Sequence, residues 1–234
     1  SFLLRNEQIN QQNIDIYPIE STDLATRLSF FLWSSTPDEE LLNVAKTGNL
    51  NSKDEIIKQT DRMLNDSKAH RFFERFIVQW LRTEGLGDTY NPDSERFPEV
   101  TKNQLNAMKN EGVYVFADVV KNNKSLFKLL DDDGTYMNKD LAKHYGYKGD
   151  LVGDDWQRVS FNNTKNRGGL LSQAAVLTVS SSPRRTSPVF RGKWILDVVI
   201  GEPPPPPPPN IPALGSEENG SSAKSLREML AAHR

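Results

Sequence analysis

Cysteine is missing from all 234 residues. Disulfides, thiolate-bound zinc, iron–sulfur clusters and covalent attachment of a c-type haem within these residues are therefore excluded. Histidine is scarce as well, with His70, His144 and His233 far apart and no second His or carboxylate at the four-residue spacing of a helical metal site. No apolar run approaches the roughly 20 residues that span a bilayer. Runs such as 30–33, or 195–200 with Asp197 inside it, fall far short of a membrane span. Charge of one sign is not in excess, since 29 Lys and Arg stand against 31 Asp and Glu. No global field draws the chain to nucleic acid or an anionic membrane. The chain opens on Ser1 without an initiator Met or a signal-peptide pattern, so its start reads as a processing site or a cut within a longer chain.

What is present is an ordinary globular balance, 36% apolar and 26% charged, arranged mostly at helical spacing. The expected fold is mainly α: a multi-helix domain, a smaller and less regular second subdomain, and a polyproline segment. Leu24, Leu28, Phe31 and Leu32 form a first stripe. Thr36-Pro37-Asp38-Glu39 reads as a cap, a first-turn proline and an acidic third position, with Gly48 closing that helix. Ser52-Lys53-Asp54-Glu55 repeats the capping pattern ahead of Ile56, Thr60, Met63 and Leu64. Phe72, Phe73, Phe76, Ile77, Trp80 and Leu81 cover a wide face, and Leu105, Met108, Gly112, Val115, Phe116 and Val119 line the longest helix. The expected core buries Phe73, Phe76, Ile77 and Trp80 beneath Leu28, Phe31, Leu105 and Phe116. Gly112 reads as a close helix contact.

Residues 1–20 form a lead segment and 21–146 the helical domain, which ends in a helix capped by Asn138 and stopped at Gly146. Residues 147–201 make the second subdomain, where 156–161 alternate like a strand, 170–179 suit helix or buried strand, and Ser187-Pro188 opens a helix. Seven consecutive prolines at 203–209 favour polyproline II, a stiff rod of roughly 20 Å. Residues 202–222 thus comprise a rod and a flexible link, and 223–234 begin a helix through Leu226, Met229 and Leu230.

Chemistry-bearing patterns are few. Asp131, Asp133 and Gly134 resemble the middle of a calcium loop, but the loop's first ligand position falls on Leu129, so a turn is expected. Ser125/Lys128 and Ser221/Lys224 match a Ser-x-x-Lys spacing without the companion motifs of a serine hydrolase. The best local candidate is an anion-binding corner at Arg184, Arg185 and Ser187, with Arg167 and Arg191 nearby, because cations and hydroxyls lead there into a helix start. The plainer reading ties those arginines to carboxylates of the first part.

Asp23-Leu24-Ala25-Thr26-Arg27-Leu28-Ser29-Phe30-Phe31-Leu32-Trp33-Ser34-Ser35 with Pro37 to Leu42, then Gln79-Trp80-Leu81 and Asn138 to Gly146, resembles a domain of unknown function. That domain occurs in large, exported, cytochrome-like proteins of planctomycetes and related bacteria. Arg167-Gly168-Gly169-Leu170-Leu171-Ser172-Gln173, Thr186 to Trp194, and the proline run with Asn210-Ile211-Pro212 resemble the domain that usually follows it. The resemblance implies a c-type haem in an adjoining segment, none within this chain, and an exported, periplasmic or cell-surface location. It supplies no catalytic residues, so enzyme activity is left open. The expected role is a non-catalytic scaffold that places the haem-bearing segment of the same protein. The alternatives are part of a haem-dependent oxidoreductase or polymer-degrading enzyme, and a surface module for carbohydrate or protein, for which Trp156 is the aromatic to inspect. A haem following Arg234 would place its propionates at Arg184 or Arg185, with the prolines lying along the protein surface.

Overall fold

Local capping sets most of the helix boundaries. The computed structural model describes residues 19–161 and 167–206, and in it α1 (Ser21–Trp33), α2 (Glu39–Lys46), α3 (Lys53–Asn65), α4 (His70–Trp80) and α5 (Lys102–Lys121) follow in order. Then come β1 (Gly134–Met137), α6 (Lys139–Tyr145), β2 (Gln157–Ser160), α7 (Ala174–Val179) and α8 (Pro188–Trp194), the last running into a π-helical turn at Ile195–Ile200. The chain is mainly α, as expected. Ser52, Asn138 and Ser187 each accept a first-turn amide, and Thr101 and Gln104 cap α5 reciprocally. At α2 the cap is Asp38 rather than Thr36, because its carboxylate accepts the Leu41 amide and also pairs with Arg62 of α3 at 2.7 Å. Segment 170–179 is a 3-10 turn at Leu170–Ser172 followed, after an extended Gln173, by α7. Residues 1–18, 162–166 and 207–234 lie outside the described residues, and with them His233, Ser221, Lys224 and the expected final helix.

Helix α5 joins two apolar clusters. Val113, Val115, Phe116 and Val119 pack with Trp33, Leu41, Leu50, Met63, Phe73 and Ile77, while Leu105, Ala107 and Met108 pack with Leu86, Met137, Leu141 and Ala174. Gly112 sits between them: a Cβ there would stand 3.6 Å from both Ile77 and Leu81 and 3.3 Å from Gln173, which is the close approach its sequence position implied. Trp33 is fully buried and its indole N–H donates to the Met63 carbonyl at 2.9 Å.

The expected core needs correcting at two rings. Phe31 is 62% exposed and Phe76 43% exposed, whereas Phe73 and Ile77 are buried. Helix α1 turns Ala25, Ser29, Leu32 and Trp33 inward, so that of the expected stripe Leu32 is buried, Leu24 and Leu28 are partly buried against the core, and Phe31 is exposed. Ala25 and Ser29 on that face let α1 approach its neighbours closely, and Phe31 is left at the margin. Leu105 belongs to the second cluster and does not cover α4.

Strands β1 and β2 pair antiparallel, with Gly134 opposite Ser160 and Met137 opposite Gln157. The ladder thus joins residues on either side of position 146. Gly134 has no room for a side chain, since a Cβ would fall 2.5 Å from the Val159 carbonyl oxygen. Arg158 bridges β2 to the preceding turn and to α5, at 2.7 Å from Asp132 and 3.5 Å from Asp118. Lys124 adds a 2.7 Å contact to Asp118. The expected calcium-like loop is this turn: Asp132 accepts the Gly134 amide at 3.1 Å, and Asp131 and Asp133 are exposed.

Candidate functional site

Segments remote in sequence meet around a cleft of about 310 Å³. Tyr90, Pro92, Phe97 and Val100 come from the connection between α4 and α5, and Met108 comes from α5 itself. His144 enters from α6, Leu177 and Thr178 from α7, Ser181, Ser182, Pro183, Arg185 and Thr186 from the loop that follows, and Arg191 from α8.

The arginine loop is pinned from three sides. Ser182 and Arg185 exchange backbone hydrogen bonds across Pro183-Arg184 at 3.0 and 3.3 Å, a tight turn with proline in its first central place. The Asp93 amide donates to the Pro183 carbonyl at 3.0 Å. The Tyr90 hydroxyl donates to the carbonyls of Thr178 and Ser181, and its burial raises the phenol's pKa.

Of the five residues expected at an anion corner, the structure brings two into the cleft. Arg191 is held internally, its guanidinium donating to Ser180 Oγ, Ser181 Oγ and the Leu177 carbonyl at 3.2–3.3 Å. Arg185 lines the same cleft, and its buried Nη1 has no hydrogen-bond partner among the described residues. Arg184 points elsewhere, 60% exposed and paired with Asp93 at 3.4 Å, which is the plainer reading for that residue. Ser187 is spent on capping α8 through the Phe190 amide, at 3.2 Å. Arg167 stacks over the Tyr145 ring at 4.0 Å.

That stack belongs to a buried polar network which the sequence did not suggest. Glu111, 1% exposed, accepts from Thr135 Oγ1 at 2.7 Å and from the Tyr145 hydroxyl at 2.6 Å. Tyr145 in turn accepts the Ala174 amide at 2.8 Å. Burial pushes the Glu111 carboxyl up to about 7 against the opposing pull of its two hydroxyl donors and of Arg167. The Tyr145 phenol is raised well above its ordinary value, by burial first and by Glu111 second. The network ties together three walls of the cleft, because Met108 lies one turn before Glu111, His144 precedes Tyr145, and Ala174 starts α7. His144 is exposed as a residue, yet desolvation against the cleft and the nearby Arg167 lower its pKa. The missed signal was a carboxylate inside the apolar stripe of α5, between Met108 and Val115.

A second feature is an aromatic ridge on α1, α4 and α5. Phe72 contacts Phe31 at 5.0 Å and Phe76 at 5.9 Å between ring centroids, and Phe76 stacks on Phe116 at 4.9 Å with 12° between planes. Trp80 extends the ridge from Phe76 at 6.1 Å, and its indole N–H donates to the Val198 carbonyl at 3.0 Å. Immediately beyond, Gly201 turns the chain with a φ of 78° into the prolines. Pro203, Pro205 and Pro206 are exposed and Pro204 is partly buried, so this part of the proline run does not lie along the protein surface as expected; residues 207–209 lie outside the described residues.

The remaining expectations resolve simply. Trp156 is partly buried and stacks on Tyr114 at 4.6 Å, which removes it as an open sugar platform. Ser125 caps a short 3-10 turn through the Phe127 amide. His70 is exposed beside Tyr114 at 5.9 Å. Among the described residues no group of three or more His, Cys, Asp or Glu side chains is placed to hold a metal ion, and no helix is long and apolar enough to cross a membrane.

Two family descriptions match the chain. PSD4, protein of unknown function (DUF1592), matches residues 19–147. PSCyt3, protein of unknown function (DUF1588), matches residues 167–234. No curated protein and no solved structure matches.

Proposed function

Because this chain belongs to the DUF1592 family and carries the DUF1588 region after it, we propose that it is a non-catalytic scaffold of an exported, cytochrome-like protein. Its work is to seat a haem-bearing segment of the same protein. The tandem is the cytochrome-associated domain pair that the sequence resembles. One observation carries the reading beyond that pair: the exposed rings of Phe31 and Phe76 stand in a continuous aromatic ridge whose far end, Trp80, is bonded to the turn from which the chain departs into the prolines. A segment carried on a stiff proline run emerges beside that ridge, and apolar rings left open at such a point suit a docking partner. The ridge offers no iron ligand. Haem attachment and any axial ligand belong to the segment that docks, and this chain contributes packing.

The test is the protein extended by its natural sequence beyond Arg234. A c-type haem spectrum is expected, together with slow proteolysis across residues 202–222. Replacing Phe31 and Phe76 by Ser removes two half-exposed rings at the cost of the Phe76–Phe116 stack, so the protein should be less stable but still fold and attach haem, while cleavage of 202–222 accelerates severalfold. An extended protein without haem absorption refutes the cytochrome reading, and unchanged cleavage in the double variant refutes the ridge as the seat.

A further inference from the structure

We infer that the cleft between α6, α7 and the Ser182–Arg185 turn is a binding site for a small apolar monocarboxylate, with Arg185 as the group that recognises the acid. This stands apart from the ridge.

Three observations converge. The first is charge: Arg185 and Arg191 line the cleft, and among the described residues no Asp or Glu does. Neither arginine forms a salt bridge with a described carboxylate, in contrast to Arg184 beside them, which is paired with Asp93 at 3.4 Å. The second is the unmet donor. A guanidinium carries five N–H groups, and leaving one buried without an acceptor costs free energy that a ligand oxygen recovers. Nη1 of Arg185 is that donor. Arg191 has no acceptor to offer it and, tied to Leu177, Ser180 and Ser181, adds a fixed positive charge to the same cleft.

The third observation is the shape and chemistry of the rest. Tyr90, Phe97, Val100, Met108 and Leu177 give the cleft a mostly apolar lining, and its volume of about 310 Å³ matches the lower end of small-ligand sites. The Tyr90 hydroxyl is already donating to Thr178 and Ser181, so its ring rather than its oxygen faces the ligand question. An aromatic or short aliphatic body with one carboxylate satisfies the apolar wall, the paired positive charge and the open donor together. A neutral apolar molecule leaves Nη1 unmet, and a polyanion has more charge than two arginines in an apolar cleft can hold.

The probe is 2-naphthoate, with the neutral 2-naphthalenemethanol as comparison, titrated calorimetrically into the full chain. Saturable binding of naphthoate is expected, at least tenfold tighter than the alcohol. Arg185→Gln should abolish that preference, weakening naphthoate tenfold or more while leaving the alcohol within twofold. Arg185→Lys, which keeps the charge but not the fork, should retain an intermediate preference. Arg184→Gln, altering the paired neighbour, should bind both probes as the parent does. Leu177→Trp, which fills the cleft, should eliminate both. Far-ultraviolet circular dichroism identical to the parent confirms that each variant is folded. Failure of naphthoate to bind at millimolar concentration overturns the assignment. So does equal weakening by Arg184→Gln and Arg185→Gln. A haem propionate carries the same acid chemistry, and loss of naphthoate binding in the haem-loaded extended protein would give the cleft to the propionate and overturn the free acid.

Discussion

Replacing Glu111 by Gln isolates the energetic signature of the buried carboxyl. In the folded protein the group titrates at about 7, against an ordinary value of 4.5. The folded state therefore binds the proton more tightly than the unfolded chain does. Stability from this group is full below the unfolded value and is lost as pH rises through the folded one. Two and a half pH units correspond to about 3 kcal/mol, of which about 2–3 kcal/mol falls between pH 4 and 8. Gln suits the site without a charge: its carbonyl can accept from Tyr145, and its amide can donate to Thr135, whose hydroxyl rotates to receive it. His144 titrates nearby with a lowered pKa and gives a slope of opposite sign, which cancels when parent and variant are compared. Urea unfolding of both proteins at four pH values from 4 to 8 is the assay. The variant should gain about 2–3 kcal/mol on the parent across that range. A difference constant to within about 0.5 kcal/mol would show that Glu111 is not a desolvated, protonating carboxyl, and the reasoning would fail.

The inward faces of α1 and α4 predict that Phe73→Ala costs about 3–5 kcal/mol and Phe31→Ala less than about 1 kcal/mol. Equal losses in chemical denaturation would refute that assignment. Trp80→Phe keeps most of the ring but removes the donor to Val198, so it should cost about 1 kcal/mol and speed hydrogen exchange in 195–200. Gly169 has a φ of +62° and a Cβ there would fall 2.2 Å from the Leu130 carbonyl oxygen. Gly169→Ala should destabilise by about 2–3 kcal/mol, and a neutral result would mean that the 167–170 turn is not built as described.

Features written in a few adjacent residues were legible in the sequence. Asn138 with Gly146 bounded α6, Ser187-Pro188 opened α8, and Gly201 ended the helical run, because capping needs only local partners. The inward face of α1 was legible only in part: Leu32 is buried as its stripe implied, but close packing selected Ala25 and Ser29 and left Phe31 outside, although its apolar signal is the stronger. Strand β1 escaped notice because four residues reading Gly-Thr-Tyr-Met become a strand only opposite β2. The candidate site divided in the same way. Arg185 and Arg191 were recognised as cations near a helix start, but the apolar wall opposite them comes from a connection some ninety residues earlier in the chain. No local pattern announces such a meeting.

The β1–β2 ladder bears on how this region can be exchanged between proteins. The first family match ends at residue 147, yet the strand that completes the Gly134–Met137 edge lies at Gln157–Ser160. A graft cut at the match boundary would carry away β1 with its amides and carbonyls unpaired, and would strip Arg158 from Asp118 and Asp132. An exposed edge of that kind invites pairing with foreign chains. Keeping the ladder requires running past residue 161, and because Leu170, Val176, Trp194 and Val198 complete the first cluster the transplantable unit extends to residue 201; chimaeras joined there should stay monodisperse where those joined at 147 aggregate.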